Sequence, residues 1–284
     1  MTETLIGEIL SVIPELNKFH APTSNSYKFI NTVLKNEVAR LFSKTEFSLV
    51  DFAPIGQIGF PFTRMGNITT LDILNLDEFI MFAFYWINRK NYIKVADLGA
   101  NLGLHSIILD KCGYKVRSYE PDSVHYKLLN GNLAANGCKN VETYNQAVSK
   151  EDGTVEFLRV LGNTTSSHIV GSKPNPYGEL EKVSVASTSF AGIMQWADLI
   201  KCDIEGHEKE VFITTRTDDW LNTDALVEIE SKESAQIMFE HFKNIGVNLF
   251  AQKTNWGKVE HIENMPCSYR EGTLFISLKA SMPW

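Results

Sequence analysis

Apolar residues recur at helical spacing in "SNSYKFINTVLKNEVARLFS", residues 24–43, where Phe29, Ile30, Val33, Leu34, Val38 and Leu41 fall on one stripe. That pattern predicts a helix packed on a larger body. Between 46 and 73, aromatic and β-branched residues are broken by Pro54, Gly56, Gly59, Pro61 and Gly66, which predicts short strands and turns. The apolar run "FIMFAFYWI" at 79–87 predicts a further helix, capped by Asp77 and ending at Asn88. From about 92 the pattern changes to strand and helix in alternation, the signature of a parallel sheet covered on both faces. Strands are predicted near 92–98, 115–120, 141–148, 197–203 and 224–230, and helices at 103–112, 122–136 and 231–245. In the last helix Ala235, Met238, Phe239 and Phe242 form the inward face.

Two insertions interrupt the alternation. In the first, 154 to about 188, "TVEFLRV" and "KVSVAST" pair as strands around a loop rich in Gly, Ser, Thr and Pro. The second, at the end of the chain, holds the strand-like runs "VNLFAQ", "VEHIE" and "TLFISLK", an antiparallel edge on the parallel sheet. The expected organisation is an N-terminal α+β extension or cap, 1–75, followed by one α/β domain, 76–284.

Composition narrows the function. The chain has 284 residues, 44% of them hydrophobic, enough for a sizeable core. Its net charge of −7 is spread over mixed acids and bases, without the basic patch that nucleic acid or an anionic membrane requires. The four cysteines lie far apart, with no CxxC pair and no histidine at zinc spacing, which suggests neither a disulfide framework nor a zinc site. The start, "MTETLIGEILSVIPEL", carries acids where a secretory peptide carries lysines, and the longest apolar run is too short to cross a bilayer. A soluble cytoplasmic protein is the expectation. Phe52, Phe60 and Phe62 need burial, whether in the core, over an active site or in a homodimer contact.

The stretch "VADLGANLGLHS", 95–106, holds the first chemistry. A strand, a glycine turn and a helix make a cofactor site because glycine lets a ligand approach the backbone and the helix start presents free N–H groups. Dinucleotide enzymes place GxGxxG there for a pyrophosphate. Here Gly99, Ala100, Asn101, Leu102 and Gly103 follow Asp97, giving DxGxxxG. A phosphate would meet a carboxylate, at a repulsion of roughly 4 kcal/mol for charges about 4 Å apart at an effective dielectric of 20. A phosphate-free nucleoside with positive charge is attracted instead, and S-adenosylmethionine has that pattern. Glu120, closing the second strand in "KVRSYEPD", is placed to accept both hydrogen bonds of a ribose diol, a role shared by NAD and S-adenosylmethionine sites. Gln146, in "NQAV" after the third strand, suits an adenine edge. The plainer roles for these acids are a helix cap at Asp97 and a solvated strand end at Glu120.

The fourth strand runs into "KCDIEGHEKEV", where Asp203, Glu205, His207 and Glu208 crowd the carboxyl end of an apolar run, and the fifth strand adds Glu230. In an open α/β sheet the carboxyl ends of the strands line the ligand crevice. Taken together, "VADLGANLG", "YEPD", "NQAV", "LIKCDIEGHEKEV" and "LVEIE", in this order, resemble the FkbM family of class I S-adenosylmethionine-dependent methyltransferases. The resemblance spans roughly 92 to 280, and its most specific part is K-x-D-x-E-G-x-E after a DxGANxG loop. The region before about 75 lies outside it. The resemblance implies a Rossmann-like, seven-stranded, mostly parallel sheet with one antiparallel strand and helices on both faces. It implies O-methylation of a sugar, a polyketide or a related small metabolite, and contacts to the methyl donor from Asp97, Gly99, Asn101, Gly103 and Glu120.

Methyl transfer is an in-line displacement that gains most from alignment and exclusion of water. A hydroxyl acceptor also gains from a general base. Asp203 is the first candidate, His207 the second and Glu205 a third, with His105 and His168 as outsiders. The alternative use of Asp203, Glu205 and Glu230 is to hold a divalent cation that polarises the hydroxyl, and no spacing motif demands one. Helix capping is the plainer role for Glu205 and Glu208. The competing functions are a catalytically silent S-adenosylmethionine-binding protein of the same fold and, disfavoured by the missing GxGxxG, an NAD-dependent oxidoreductase.

Overall fold

The computed structural model describes residues 4–44, 47–173, 176 and 178–284. Its centre is a sheet of eight strands: β1 (Lys94–Leu98), β2 (Lys115–Tyr119), β3 (Val141–Tyr144), β4 (Leu199–Cys202), β5 (Asp224–Val227), β6 (Asn248–Ala251), β7 (Gly257–Lys258) and β8 (Leu274–Ser277). The spatial order is β7-β6-β8-β5-β4-β1-β2-β3. β3, β2, β1, β4 and β5 pair in parallel, whereas β8 runs antiparallel to both β5 and β6. This is the Rossmann-like arrangement expected. The strand beyond the expected seven is β7, a two-residue edge that antiparallel pairing adds to β6. It precedes "VEHIE", of which only Val259 still bonds the sheet, through its N–H to Leu249 O.

The helices are α1 (Leu5–Val12), α2 (Asn25–Phe42), α3 (Leu76–Asn88), α4 (Leu104–Lys111), α5 (Ser123–Ala135), α6 (Phe190–Trp196), α7 (Glu208–Phe212) and α8 (Lys232–Ile245). Alternation along each strand sends side chains to two cores. Val95, Val116, Leu199, Leu226 and Phe275 meet α3, α4 and the N-terminal elements, and Ala96, Leu98, Ile200, Cys202 and Val227 meet α6, α7 and α8. The first core continues without a break to Ile6, Leu34, Phe52 and Phe60, so these phenylalanines are covered by the chain itself.

Local details differ from the pattern. In α2, Leu34, Val38 and Phe42 are buried with Tyr27, but Phe29 is 71% exposed: the buried stripe is centred on Tyr27 and Leu34 rather than one residue further round. The cap of α3 is Asn75, not Asp77, because Asn75 Oδ1 accepts the Asp77 and Glu78 N–H groups. Asp77 is thereby free to accept from Tyr27 Oη and Gln252 Nε2. The strand expected over 141–148 breaks at Asn145–Gln146, and Ala147–Ser149 joins a second sheet, parallel to Leu180–Ser189.

That second sheet is the first insertion. Gly153–Val160 pairs antiparallel with Leu180–Ser189, as expected for "TVEFLRV" and "KVSVAST", and His168–Ile169 adds an edge. Of the connecting loop, Pro174, Asn175 and Tyr177 lie outside the described residues, as does Glu46 at the start of the turn-rich region. That region forms two small hairpins, Leu49–Asp51 with Gln57–Gly59 and Arg64–Met65 with Ile68–Thr69. Their turns dock on the domain: Asn136 at the end of α5 exchanges two hydrogen bonds with the Gly59 backbone, at 2.8 and 2.7 Å, and Asn67 N–H donates to Gly162 O at 2.8 Å.

Candidate active site

The turn after β1 is held against the end of β2, where the Gly99 and Ala100 N–H groups both donate to Tyr119 O at 3.0 Å. Three residues of the turn are left-handed, Gly99 (φ 73°), Asn101 (φ 51°) and Gly103 (φ 88°), and asparagine tolerates that region better than other side chains. A Cβ on Gly99 would fall on the carbonyl oxygen of Asp203, so glycine is what allows the β1 turn and the end of β4 to touch. Asn101 N–H donates to Glu120 Oε2 and Asp122 N–H to Glu120 Oε1, both at 2.8 Å. Burial pushes the Glu120 carboxyl up to about 8, against the lowering effect of those two amides. Asp122 caps α5 and accepts from Arg159 Nε at 2.6 Å, which ties the second sheet to this corner. Asn145, not singled out in the sequence, donates to the Glu120 and Pro121 carbonyls, while Gln146 sits half-buried in the bend beside it.

A polar row crosses the sheet beneath the turn. Asp97 is in register with Ser118 on β2 and with Lys201 on β4, so the three side chains share one face. Ser106 Oγ donates to Asp97 Oδ2 at 2.6 Å and contacts Ser118 Oγ at 2.8 Å. Lys201 Nζ lies 3.5 Å from Asp97 Oδ1 and donates to Gly99 O at 3.1 Å. Burial works to deprotonate Lys201, but Asp97, Asp203 and Glu78 outweigh it and hold its pKa above the usual value. The carboxylate of Asp97 is therefore partly compensated, which corrects the picture of a bare negative charge facing the ligand. The signal was a lysine inside the apolar run "LIKCDI".

On the same face α3 and α4 supply a chain that sequence reading missed except for His105. Glu78 Oε2 is 2.6 Å from His105 Nε2, and His105 Nδ1 is 3.0 Å from the Tyr85 hydroxyl. Both histidine nitrogens are thus engaged. Glu78 stands close enough to bias the titration of Lys201, Asp203 and Glu228.

Carboxylates concentrate past the ends of β4 and β5. Burial raises the pKa of Asp203, opposed by Lys201 and reinforced by Glu230 and Glu78. Glu205 (φ 58°) and Gly206 (φ 92°) turn the chain, and Lys173 Nζ pairs with both Glu205 and Glu230, the latter at 2.8 Å. Burial and then Asp203 push the Glu205 carboxyl well up, with Lys173 opposing. Glu228 is raised by burial and by its acidic neighbours. Glu208 Oε1 accepts the Ile204 N–H at 2.8 Å, so this side chain braces the turn without capping the helix it begins, whose N-cap, His207, makes no side-chain cap bond. Glu205 is paired with Lys173, so neither carboxylate plays the capping role expected of it. His207 Nδ1 lies 3.0 Å from Ser172 Oγ and its Nε2 3.4 Å from Ser149 Oγ, and burial lowers its pKa, opposed by Glu210. His168 is buried and bonds Ser166 O.

Several buried oxygens here lack a hydrogen-bond partner among the described residues: Asp97 Oδ1, Asn101 Oδ1, Asp203 Oδ1 and Glu208 Oε2. Native proteins leave few such atoms, and a cluster of them marks where a ligand with donors belongs. These acceptors suit the amino and hydroxyl donors of S-adenosylmethionine, so the residues fit that group. Among the described residues no cluster of three or more His, Cys, Asp or Glu is arranged to hold a metal ion, and no helix is long and apolar enough to cross a membrane.

Comparison with known proteins agrees with this chemistry. The family profile described as methyltransferase FkbM domain matches residues 97–257, more than half of the chain. Similar solved structures include an S-adenosylmethionine-dependent methyltransferase from Agrobacterium tumefaciens, with 9% identity, a TM-score of 0.42, and coverage of 82% of this chain and 71% of that one. Another is the precorrin-6y C5,15-methyltransferase from Geobacter metallireducens GS-15, with 11% identity, a TM-score of 0.39, and coverage of 76% and 93%. No curated protein matches the sequence.

Proposed function

The chain belongs to the FkbM methyltransferase family, and from that premise we propose that it methylates a hydroxyl group on a sugar, a polyketide or a related small metabolite. S-adenosylmethionine supplies, when bound, a methyl carbon made electrophilic by its sulfonium. The residues that would hold it are Asp97, Gly99, Ala100, Asn101, Gly103 and Glu120, with Gln146 at the adenine end. Support comes from Asn101 Oδ1, which has no hydrogen-bond partner among the described residues, from Asp97 Oδ1, which has only the Lys201 ammonium 3.5 Å away, and from the two lone pairs that Glu120 keeps beyond its backbone bonds.

Asp203 is the proposed general base. Its Oδ1 is buried and has no hydrogen-bond partner among the described residues, and burial, opposed by Lys201 and reinforced by Glu230 and Glu78, raises its pKa, which makes the carboxylate a stronger base. Glu205 is engaged by Lys173, so its part is to hold the turn beside Asp203 and not to take the proton. His207 takes second place as base because both its nitrogens face serines. The single observation that carries this reading is the free Oδ1 of Asp203, at the strand end that Gly99 brings against the donor turn.

The test incubates the protein with labelled methyl donor and a panel of sugar and polyketide alcohols. Asp203→Asn should lower kcat on any accepted alcohol by about a hundredfold or more, while calorimetric affinity for S-adenosylhomocysteine stays within a few-fold. Unchanged turnover in that variant would remove Asp203 from the chemistry.

A further inference from the structure

We propose that Glu205 and Glu230 form a receptor for an ammonium group on the acceptor, so that the preferred substrates are hydroxy compounds bearing an amine, such as amino sugars. This rests on the methylation reading above. The two carboxylates stand past the ends of neighbouring strands β4 and β5 and converge on one nitrogen, Lys173 Nζ. Such convergence is what an ammonium with three donors requires. Among the described residues, no cation of the sheet or its turns forms a salt bridge with this pair. The ammonium comes from the insertion loop, laid across the turn where a Cβ on Gly206 would meet Ser172 O at 2.9 Å, Lys173 Cγ at 3.3 Å and Glu230 Oε2 at 3.4 Å.

A second observation points to a ligand at the same place. Glu208 is 1% exposed, within electrostatic reach of Glu230 and Asp203, and its Oε2 has no partner, like Oδ1 of Asp203. With Lys173 in place, Glu208 Oε2 and Asp203 Oδ1 still lack a hydrogen-bond partner among the described residues. Lys173 is thus an internal stand-in for the ammonium of an incoming acceptor, which would carry its own hydroxyl to Asp203. A lysine reaching in from a loop can be displaced without unfolding the sheet, whereas Lys201, buried between β1 and β5, cannot.

Two measurements on the full chain test this. Lys173→Ala removes the stand-in and leaves two carboxylates facing each other, so its Tm should fall. n-Butylammonium should restore the Tm where n-butanol does not, and the restoration should weaken at least several-fold in Lys173→Ala/Glu230→Gln. In parallel, kcat/KM is compared for glucosamine, glucose and N-acetylglucosamine in the unmodified protein and in Glu230→Gln. The expected result is a preference of tenfold or more for the amine, carried by KM and lost in Glu230→Gln. Absence of rescue, rescue by Mg²⁺ rather than by the amine, or equal use of charged and neutral acceptors would each overturn the proposal. Rescue by butylammonium with no methyl transfer to any alcohol would instead sink the hydroxyl-methylation reading and leave the ammonium receptor standing.

Discussion

Lys201 and Asp97 form a buried ion pair at the centre of the sheet, with Nζ 3.5 Å from Oδ1 and neither side chain open to solvent. The pair puts a compensating ammonium beside a carboxylate side chain that is 0% exposed, and it also anchors the donor turn, because the same Nζ bonds Gly99 O. Lys201→Met would leave Asp97 as an uncompensated buried charge, a change that costs about 3–5 kcal/mol. Urea unfolding should show a lower midpoint with an unchanged slope, and Asp97→Asn/Lys201→Met should recover much of the loss. A single variant within about 1 kcal/mol of the parent would mean that water reaches the pair.

The acid cluster predicts an unusual pH dependence. Burial, with Glu230 and Asp203 adding to it, raises the Glu208 carboxyl from 4.5 to about 8. A carboxyl whose pKa rises on folding binds its proton more tightly in the native state. Its contribution to stability is fully present below pH 4.5 and is lost as the pH climbs through about 8. The protein should therefore become less stable between about pH 4.5 and about 8, by at most roughly 1.4 kcal/mol per pH unit for this group, and level off above that. Glu208→Gln, which mimics the protonated form, should flatten that slope in denaturant titrations. An equally steep slope in the variant would assign the effect to other groups, Glu120 first, whose carboxyl burial also raises to about 8.

How much of this was legible in the chain follows the physics of each part. The strands β1 to β5 and the helices α4, α5 and α8 carry strong periodicity, and buried parallel strands tolerate little else, so their positions were readable; the short helix α6, seven residues directly after a strand of the second sheet, was not. Asp97, Gly99, Asn101, Gly103 and Glu120 were readable as a motif because a left-handed turn restricts which residues can follow one another. The sequence assigns Lys201 no role, since pairing across β1 and β4 depends on register that no local pattern encodes. Lys173 and Glu78 were invisible for a similar reason: one sits in a polar loop, the other in the first turn of a helix, where acids are common anyway. Asp77 was read as a cap because its residue type suits the position, and only the geometry of Asn75 shows which side chain accepts the free amides.

Gly99 and Gly113 allow a controlled test of the donor turn. Both are left-handed, at φ 73° and 93°, so alanine strains the backbone at either site, by about 1–3 kcal/mol. Their surroundings differ: a Cβ on Gly113 meets nothing within 4 Å, whereas one on Gly99 runs into the Asp203 carbonyl. Gly113→Ala should thus lose stability alone and keep its affinity for S-adenosylhomocysteine. Gly99→Ala should lose stability and also push the end of β4 away from the donor turn, which should weaken that affinity tenfold or more and depress kcat further by displacing Asp203. Equal donor affinity in the two variants would show that the contact between the β1 turn and Asp203 is incidental, and the assignment of both to one active site would fall with it.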